Sequence, residues 1–352
     1  MGRLTPQQEL KLVAGELVEV RSEQEILTTL DDKGMLDNMP FMPEMRQYCG
    51  KRFRVFKRAD KTCDNIQDWS MRRVKNAVHL TGVRCDGQAH SNCDAGCMLF
   101  WREAWLKRVS VDLVEEFKIG RADSLASANP VMHPAANGGR SIDTLVKASL
   151  ISGGPSTGTD PVYMCQATEL RRFTSHLSDW DLRQYVRDVR SGNLSQGIAE
   201  SKSEKLLELL LSVIEVFRSL LILIFNRIQT ARKGMLYPHI EGTLVATPTE
   251  ELALKPGEFI RVKAKAEILL TLDRRNKNRG LLFDSEMVKY CGKTFRVLKR
   301  VNQIVDERTG KMMRMKSPCI ILDGVACASD YHRLCPRAIY HYWREAWLSR
   351  VE

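Results

Sequence analysis

The chain repeats itself, and this limits its fold more than any other feature. Residues 15–109 align with residues 257–351 at a constant offset of 242, without a gap, and 38 of the 95 positions are identical. GELVEV faces GEFIRV, EILTTLD faces EILLTLD, YCGKRFRVFKR faces YCGKTFRVLKR, LTGVRC faces LDGVAC, and WREAWL recurs unchanged. A duplication of this kind predicts one small domain made twice. The chain has 352 residues, more than one core usually serves, so several units are expected in any case. It divides into a tail at 1–14, a first repeat at 15–109, a linker compatible with disorder at 110–162, a helical insert at 163–256 and a second repeat at 257–352.

The offset also sorts the ten cysteines. Cys49 matches Cys291, Cys85 matches Cys327, Cys93 matches Cys335, and His90 matches His332. Three thiolates and an imidazole are a tetrahedral zinc set filled by protein, and so describe a structural site rather than a catalytic one. Cys85, His90 and Cys93 lie close enough for one loop to present them, and Cys49 would staple a distant turn to it. Two sites follow: Cys49, Cys85, His90 and Cys93, then Cys291, Cys327, His332 and Cys335. Zinc is the first choice of metal and an iron–sulfur cluster the alternative, with Cys63 and Cys97 as possible extra thiols in the first repeat. Buried thiols without metal, or a disulfide, are the competing explanations. MGRLTPQQELKLVAGELVEV holds no apolar run of signal-peptide length, so the expected compartment is the reducing cytoplasm, where cysteines serve more often as ligands than as disulfides.

Local patterns give the expected elements of one copy. ELVEVRS reads as a strand, EQEILTTLD as a short helix capped by Ser22, and Asp31 to Pro40 as a loop. KRFRVFKR and NAVHLTGV alternate as strands, and QIVDERTGKMMRM reads as a hairpin turning at Thr309 and Gly310. FWREAWLKRV predicts a closing helix with Trp101 and Trp105 on one face and with Glu103 solvated. EMRQYCGKRFRV, repeated as EMVKYCGKTFRV, resembles a pattern seen in small SH3-like barrels, in which Glu-Met, a tyrosine and Gly-Lys precede a strand. The resemblance implies a fold and no activity, and it departs from the pattern in placing Cys49 and Cys291 beside the tyrosine. The expected class is therefore α+β: two small SH3-like β-barrels with metal-stapled Cys/His loops, separated by a helical insert.

In the insert, SDWDLRQYVRDVRSGN predicts a helix stopped at Gly192, and a long helix is expected from Ser203 to Lys233. Glu208, Glu215 and Arg218 interrupt its apolar run, so pairing with a second chain or packing between the repeats is preferred over membrane contact. The formal net charge is +11, which favours an acidic protein or a nucleic acid as partner. The candidate surface is the basic strand of each copy: Lys51, Arg54, Lys57 and Arg58, matched by Lys293, Arg296, Lys299 and Arg300. No phosphate-cradling glycine loop, Gly-x-Ser-x-Gly elbow or His-Glu-x-x-His stands in the chain. The expected role is a non-enzymatic metal-binding scaffold. The alternative is an accessory or tailoring enzyme using the metal or Cys165.

Overall fold

A computed structural model describes residues 9–66, 68–109, 150–154, 159–195 and 201–351. The chain is α+β, with several small antiparallel sheets. Most of the expected linker at 110–162, and the first part of the 1–14 tail, lie outside the described residues. The end of that linker is an antiparallel hairpin, Leu150–Gly154 with Thr159–Tyr163, rather than an open loop.

Each copy builds one five-stranded antiparallel sheet. In the first, the order across the sheet is Trp101–Arg102, Ala77–Leu80, Arg52–Arg58, Leu17–Val20, Leu106–Arg108. The second repeats it with Trp343–Arg344, Met312–Leu322, Thr294–Val305, Phe259–Val262, Leu348–Arg350. The edge strands do not pair, so neither sheet closes into a barrel. The Ser22 capping box starts the short helix Glu23–Leu27: Ser22 Oγ accepts from the Glu25 N–H, and the Glu25 carboxylate accepts from the Ser22 N–H. The hairpin expected around Thr309 and Gly310 joins the two longest strands of the second sheet. In the first copy the matching ribbon breaks. Lys61–Cys63 and Met71–Arg73 leave the sheet and pair with each other, and Met71–Arg73 pairs on its other side with Ser175–His176 of the insert.

WREAWL is not helical. Trp101–Arg102 and Leu106–Arg108 are strands, and only Glu103–Trp105 between them makes a 3-10 turn. Both tryptophans are nevertheless fully buried in one core, because a single turn between two strands also returns residues four apart to the same side. The reason lies in Glu103, which is buried rather than solvated. Its carboxylate accepts from the Lys11 and Leu12 N–H groups and pairs with Arg58 at 2.6 Å. Glu345 does the same with Leu252, Ala253, Leu254 and Arg300. Each acid thus ties the incoming chain to the closing turn, a task a solvated helix face could not perform.

The copies meet reciprocally. The Cys63 N–H donates to Cys335 Sγ at 3.2 Å, and the Val305 N–H donates to Cys93 Sγ at 3.3 Å; the two contacts exchange under the offset of 242. Likewise Lys61 Nζ donates to the Arg333 carbonyl, and Gln303 Nε2 to the Ser91 carbonyl. This is the pattern of a two-fold contact. The insert fastens to the first copy through buried polar groups. Gln166 bonds Phe100 and Pro40, Asn193 bonds Arg58, and Asp188 of helix Arg183–Arg190 pairs with Lys61. That helix ends ahead of Gly192, as expected. The long helix spans Lys202–Arg232. Among the described residues no helix is long and apolar enough to cross a membrane.

Candidate metal centre

The loop leaving strand Ala77–Leu80, or Met312–Leu322 in the second copy, brings a cysteine and a histidine back over the short 3-10 helix Pro43–Tyr48, or Ser285–Tyr290. Gly87 makes the bend in the first copy. Its φ is 77°, and a Cβ there would lie 2.0 Å from the Cys93 carbonyl oxygen, so no side chain fits. Its own carbonyl accepts from the His90 and Cys93 N–H groups, which folds Cys85 and His90 together. In the second copy Ser329 takes the bend at φ 66° and donates its hydroxyl to the Cys335 carbonyl.

Two matching clusters result. Glu44, Cys85 and His90 have their ligand atoms within 4.8 Å of one another, and so do Glu286, Cys327 and His332. In the first, His90 Nδ1 lies 2.8 Å from Glu44 Oε1, with the Cys85 thiol donating to the same oxygen at 3.6 Å. His90 Nε2 lies 3.2 Å from the Met164 carbonyl, which belongs to the insert. In the second, Cys327 Sγ lies 3.5 Å from His332 Nδ1, and Asp284 Oδ2 lies 3.5 Å from His332 Nε2. The Tyr331 N–H donates to Glu286 Oε1, and Trp69 of the first repeat covers the His332 ring at 4.7 Å. The other carboxylate oxygen, Glu44 Oε2 in one cluster and Glu286 Oε2 in the other, is buried and has no hydrogen-bond partner among the described residues.

The electrostatics depend on what each cluster holds. Burial pushes the Glu44 carboxyl up, but the His90 imidazole more than offsets this and leaves it below its ordinary value. In Glu286 burial wins over the Tyr331 N–H, and the carboxyl is raised. Burial and then Glu44 push the Cys85 thiol well up; burial raises Cys327, with His332 pulling it back. Burial opposes charge on His332, yet Asp284 and Cys327 outweigh it and lift the imidazole to about 11. A thiol raised in this way becomes a thiolate ligand only when a cation stands beside it, which a bound metal supplies. Carboxylate, thiolate and imidazole together suit zinc.

The expected set of three cysteines and a histidine is divided in space. Cys85 with His90, and Cys327 with His332, lie in the clusters. Cys49 and Cys291 stand at the end of the 3-10 helix against the two cores, with thiols pushed up to about 12 and about 11, first by burial. Cys93 and Cys335 reach the opposite repeat, as described above. Of the extra thiols, Cys63 adjoins Cys335. Cys97 is raised by burial, and its carbonyl accepts from the Cys85 N–H. Cys165 packs against the first core, and burial pushes its thiol up to about 12, contrary to what a nucleophile requires. The glutamates escaped a reading centred on cysteine, although Glu44 and Glu286 also match at the offset of 242.

The basic strands are largely engaged within the chain. Arg58 and Arg300 hold Glu103 and Glu345, Arg54 donates to the Gly15 carbonyl, Arg296 pairs with Asp323, and Lys299 faces Asp94. Lys57 is half-buried, and its amine is pushed down by burial; Lys51, Lys293 and Arg296 are exposed. No family model, curated protein or solved structure matches this chain.

Proposed function

We propose that this is a non-enzymatic metal-binding interaction protein, made of two SH3-like repeats that each enclose one divalent metal, zinc first. One observation carries the reading: a glutamate, a cysteine and a histidine converge in both copies, and each cluster keeps a buried carboxylate oxygen without a hydrogen-bond partner among the described residues. Burial favours a structural role, since Glu44, His90, Glu286 and Cys327 are all closed to solvent. The strand order and the 3-10 turn before the last strand support the SH3-like assignment. Arg58 and Arg300 are engaged inside the fold, which leaves Lys51, Lys293 and Arg296 as the exposed members of the basic strands; so sparse a basic surface favours a protein partner over nucleic acid.

A second reading has one observation behind it. Cys327, His332 and Asp284 form a thiol–imidazole–carboxylate row, the arrangement of a nucleophile, its base and an orienting group. The first copy has Met42 where the second has Asp284, so only one site could act in this way.

Metal analysis of the purified chain tests both. Two zinc ions per chain are expected, falling to one in Cys85→Ser and in Cys327→Ser, with Cys49→Ser and Cys291→Ser unchanged. No bound metal, or loss on changing Cys49 or Cys291, overturns the proposal. Rapid, stoichiometric alkylation of Cys327 by iodoacetamide at neutral pH in metal-free protein, with the product retaining its fold, selects the second reading.

A further inference from the structure

The long helix leaves a full apolar stripe uncovered. Counting Leu207 as the first position of a heptad, the first and fourth positions are Leu207, Leu210, Ile214, Phe217, Leu221, Ile224 and Ile228, spaced alternately by three and four. That is a coiled-coil seam, and Ala231 continues it. All seven of these side chains are 42–63% exposed. The side turned to the rest of the chain carries Ser212, Ser219 and Asn226, seven residues apart, together with the half-buried Val216, Leu220, Ile222 and Leu223; the two serines are buried, and Asn226 bonds the Tyr237 backbone. A mixed face of small polar and half-buried apolar residues therefore seats the helix, while a second, continuous apolar stripe faces away, where an ordinary amphipathic surface helix would be polar.

We propose that this seam is the interface between two copies of the chain, paired antiparallel along the helix. The area is sufficient. With about half of each seam side chain open, and with Leu211 and Phe225 flanking, the stripe offers on the order of 800 Å², about what one partner contributes to a stable interface. The charge gradient sets the direction. Residues 202–217 carry two lysines and three glutamates, a net −1, and residues 218–233 carry three arginines and one lysine, a net +4. Parallel pairing would place Arg227 of one helix beside Arg232 of the other, like charges at the flanking positions where coiled coils choose their partners. Antiparallel pairing with Leu207 level with Ala231, Leu210 with Ile228, Ile214 with Ile224 and Phe217 with Leu221 fills every layer and brings Glu208 alongside the basic end of the partner helix; its one like-charge approach, Arg218 to its own copy at the two-fold axis, is tempered by Glu215, which pairs with Arg218 at 3.1 Å. A two-fold axis relates the copies, so the contact is closed and self-complementary.

Light scattering and sedimentation on the full chain test this without reference to metal. The expected mass is twice the 40.2 kDa of one chain, with a dissociation constant of about 1 μM or tighter. Leu210→Glu with Phe217→Glu should give a monomer with unchanged circular dichroism, since both side chains are already exposed. Glu208→Arg should weaken the dimer about tenfold, and adding Arg232→Glu in the same chain should restore it. A wild-type chain that stays monomeric at about 50 μM overturns the proposal. So does a dimer indifferent to the seam variants, or one that Arg232→Glu alone tightens, as parallel pairing requires. Sedimentation of a monomeric wild type with phosphatidylglycerol vesicles would assign the stripe to a membrane surface instead and would equally refute the pairing.

Discussion

Replacing Asp188 by alanine should destabilise the whole chain by about 3–5 kcal/mol, because it leaves a buried ammonium without its counter-ion. Lys61 Nζ lies 2.5 Å from Asp188 Oδ2, 2.7 Å from the Arg333 carbonyl and 3.5 Å from Gln184 Oε1, and both charged side chains are closed to solvent. The substitution leaves a carbonyl and a distant amide to balance a full charge. Burial pushes the Lys61 amine down and the Asp188 carboxyl up, so desolvation consumes most of what the attraction provides. The pair is therefore costly to break yet contributes little net stability. The second copy illustrates the point: Gln303 stands where the first copy has Lys61 and makes the matching contact without a charge. Thermal melts should show Asp188→Ala lowering Tm by on the order of 10 °C. The double variant Lys61→Met, Asp188→Leu should lie within about 1 kcal/mol of wild type. Since Lys61, Asp188 and Arg333 belong to the first repeat, the insert and the second repeat, the loss should appear in all three segments by hydrogen exchange. A single variant that melts like wild type, or a double variant as weak as the single, would refute the reasoning.

Glu103→Ala should cost about 2–4 kcal/mol by leaving the buried Leu12 N–H unpaired and by taking from the half-buried Arg58 one of its two carboxylates, Asp60 remaining at 2.8 Å, and Glu345→Ala should cost a similar amount; urea unfolding gives both values. His79 is buried, and burial pushes it down to about 3 despite the Leu99 carbonyl 2.9 Å from its Nδ1. A folded-state value depressed below the unfolded one supports stability above about pH 6.5 and loses it as pH falls toward 3, at a slope of about 1.4 kcal/mol per unit. His79→Ile, which copies Ile321 of the second repeat, should flatten that acid limb in denaturant titrations run from pH 7 to pH 4.

The duplication, the Ser22 box, the alternating strands and the hairpin at Gly310 were legible in the amino-acid order, because each rests on local periodicity or on a comparison of the chain with itself. The heptad seam was also there, since its spacing needs no partner to be counted. Three matters were settled only by the fold. WREAWL became a turn between strands because Glu103 and Glu345 reach backbone groups some 90 residues away, a distance no helical pattern registers. The metal-binding candidates changed partners because Cys93 and Cys335 are drawn across to the opposite copy while Glu44 and Glu286 move in beside the histidines. A match at one offset says that residues share a role in both copies and is silent on which of them meet. In the basic strands Arg58 and Arg300 turn to the buried Glu103 and Glu345 while Lys51, Lys293 and Arg296 stay exposed, because whether a charge faces water or an acid depends on where the chain returns in three dimensions.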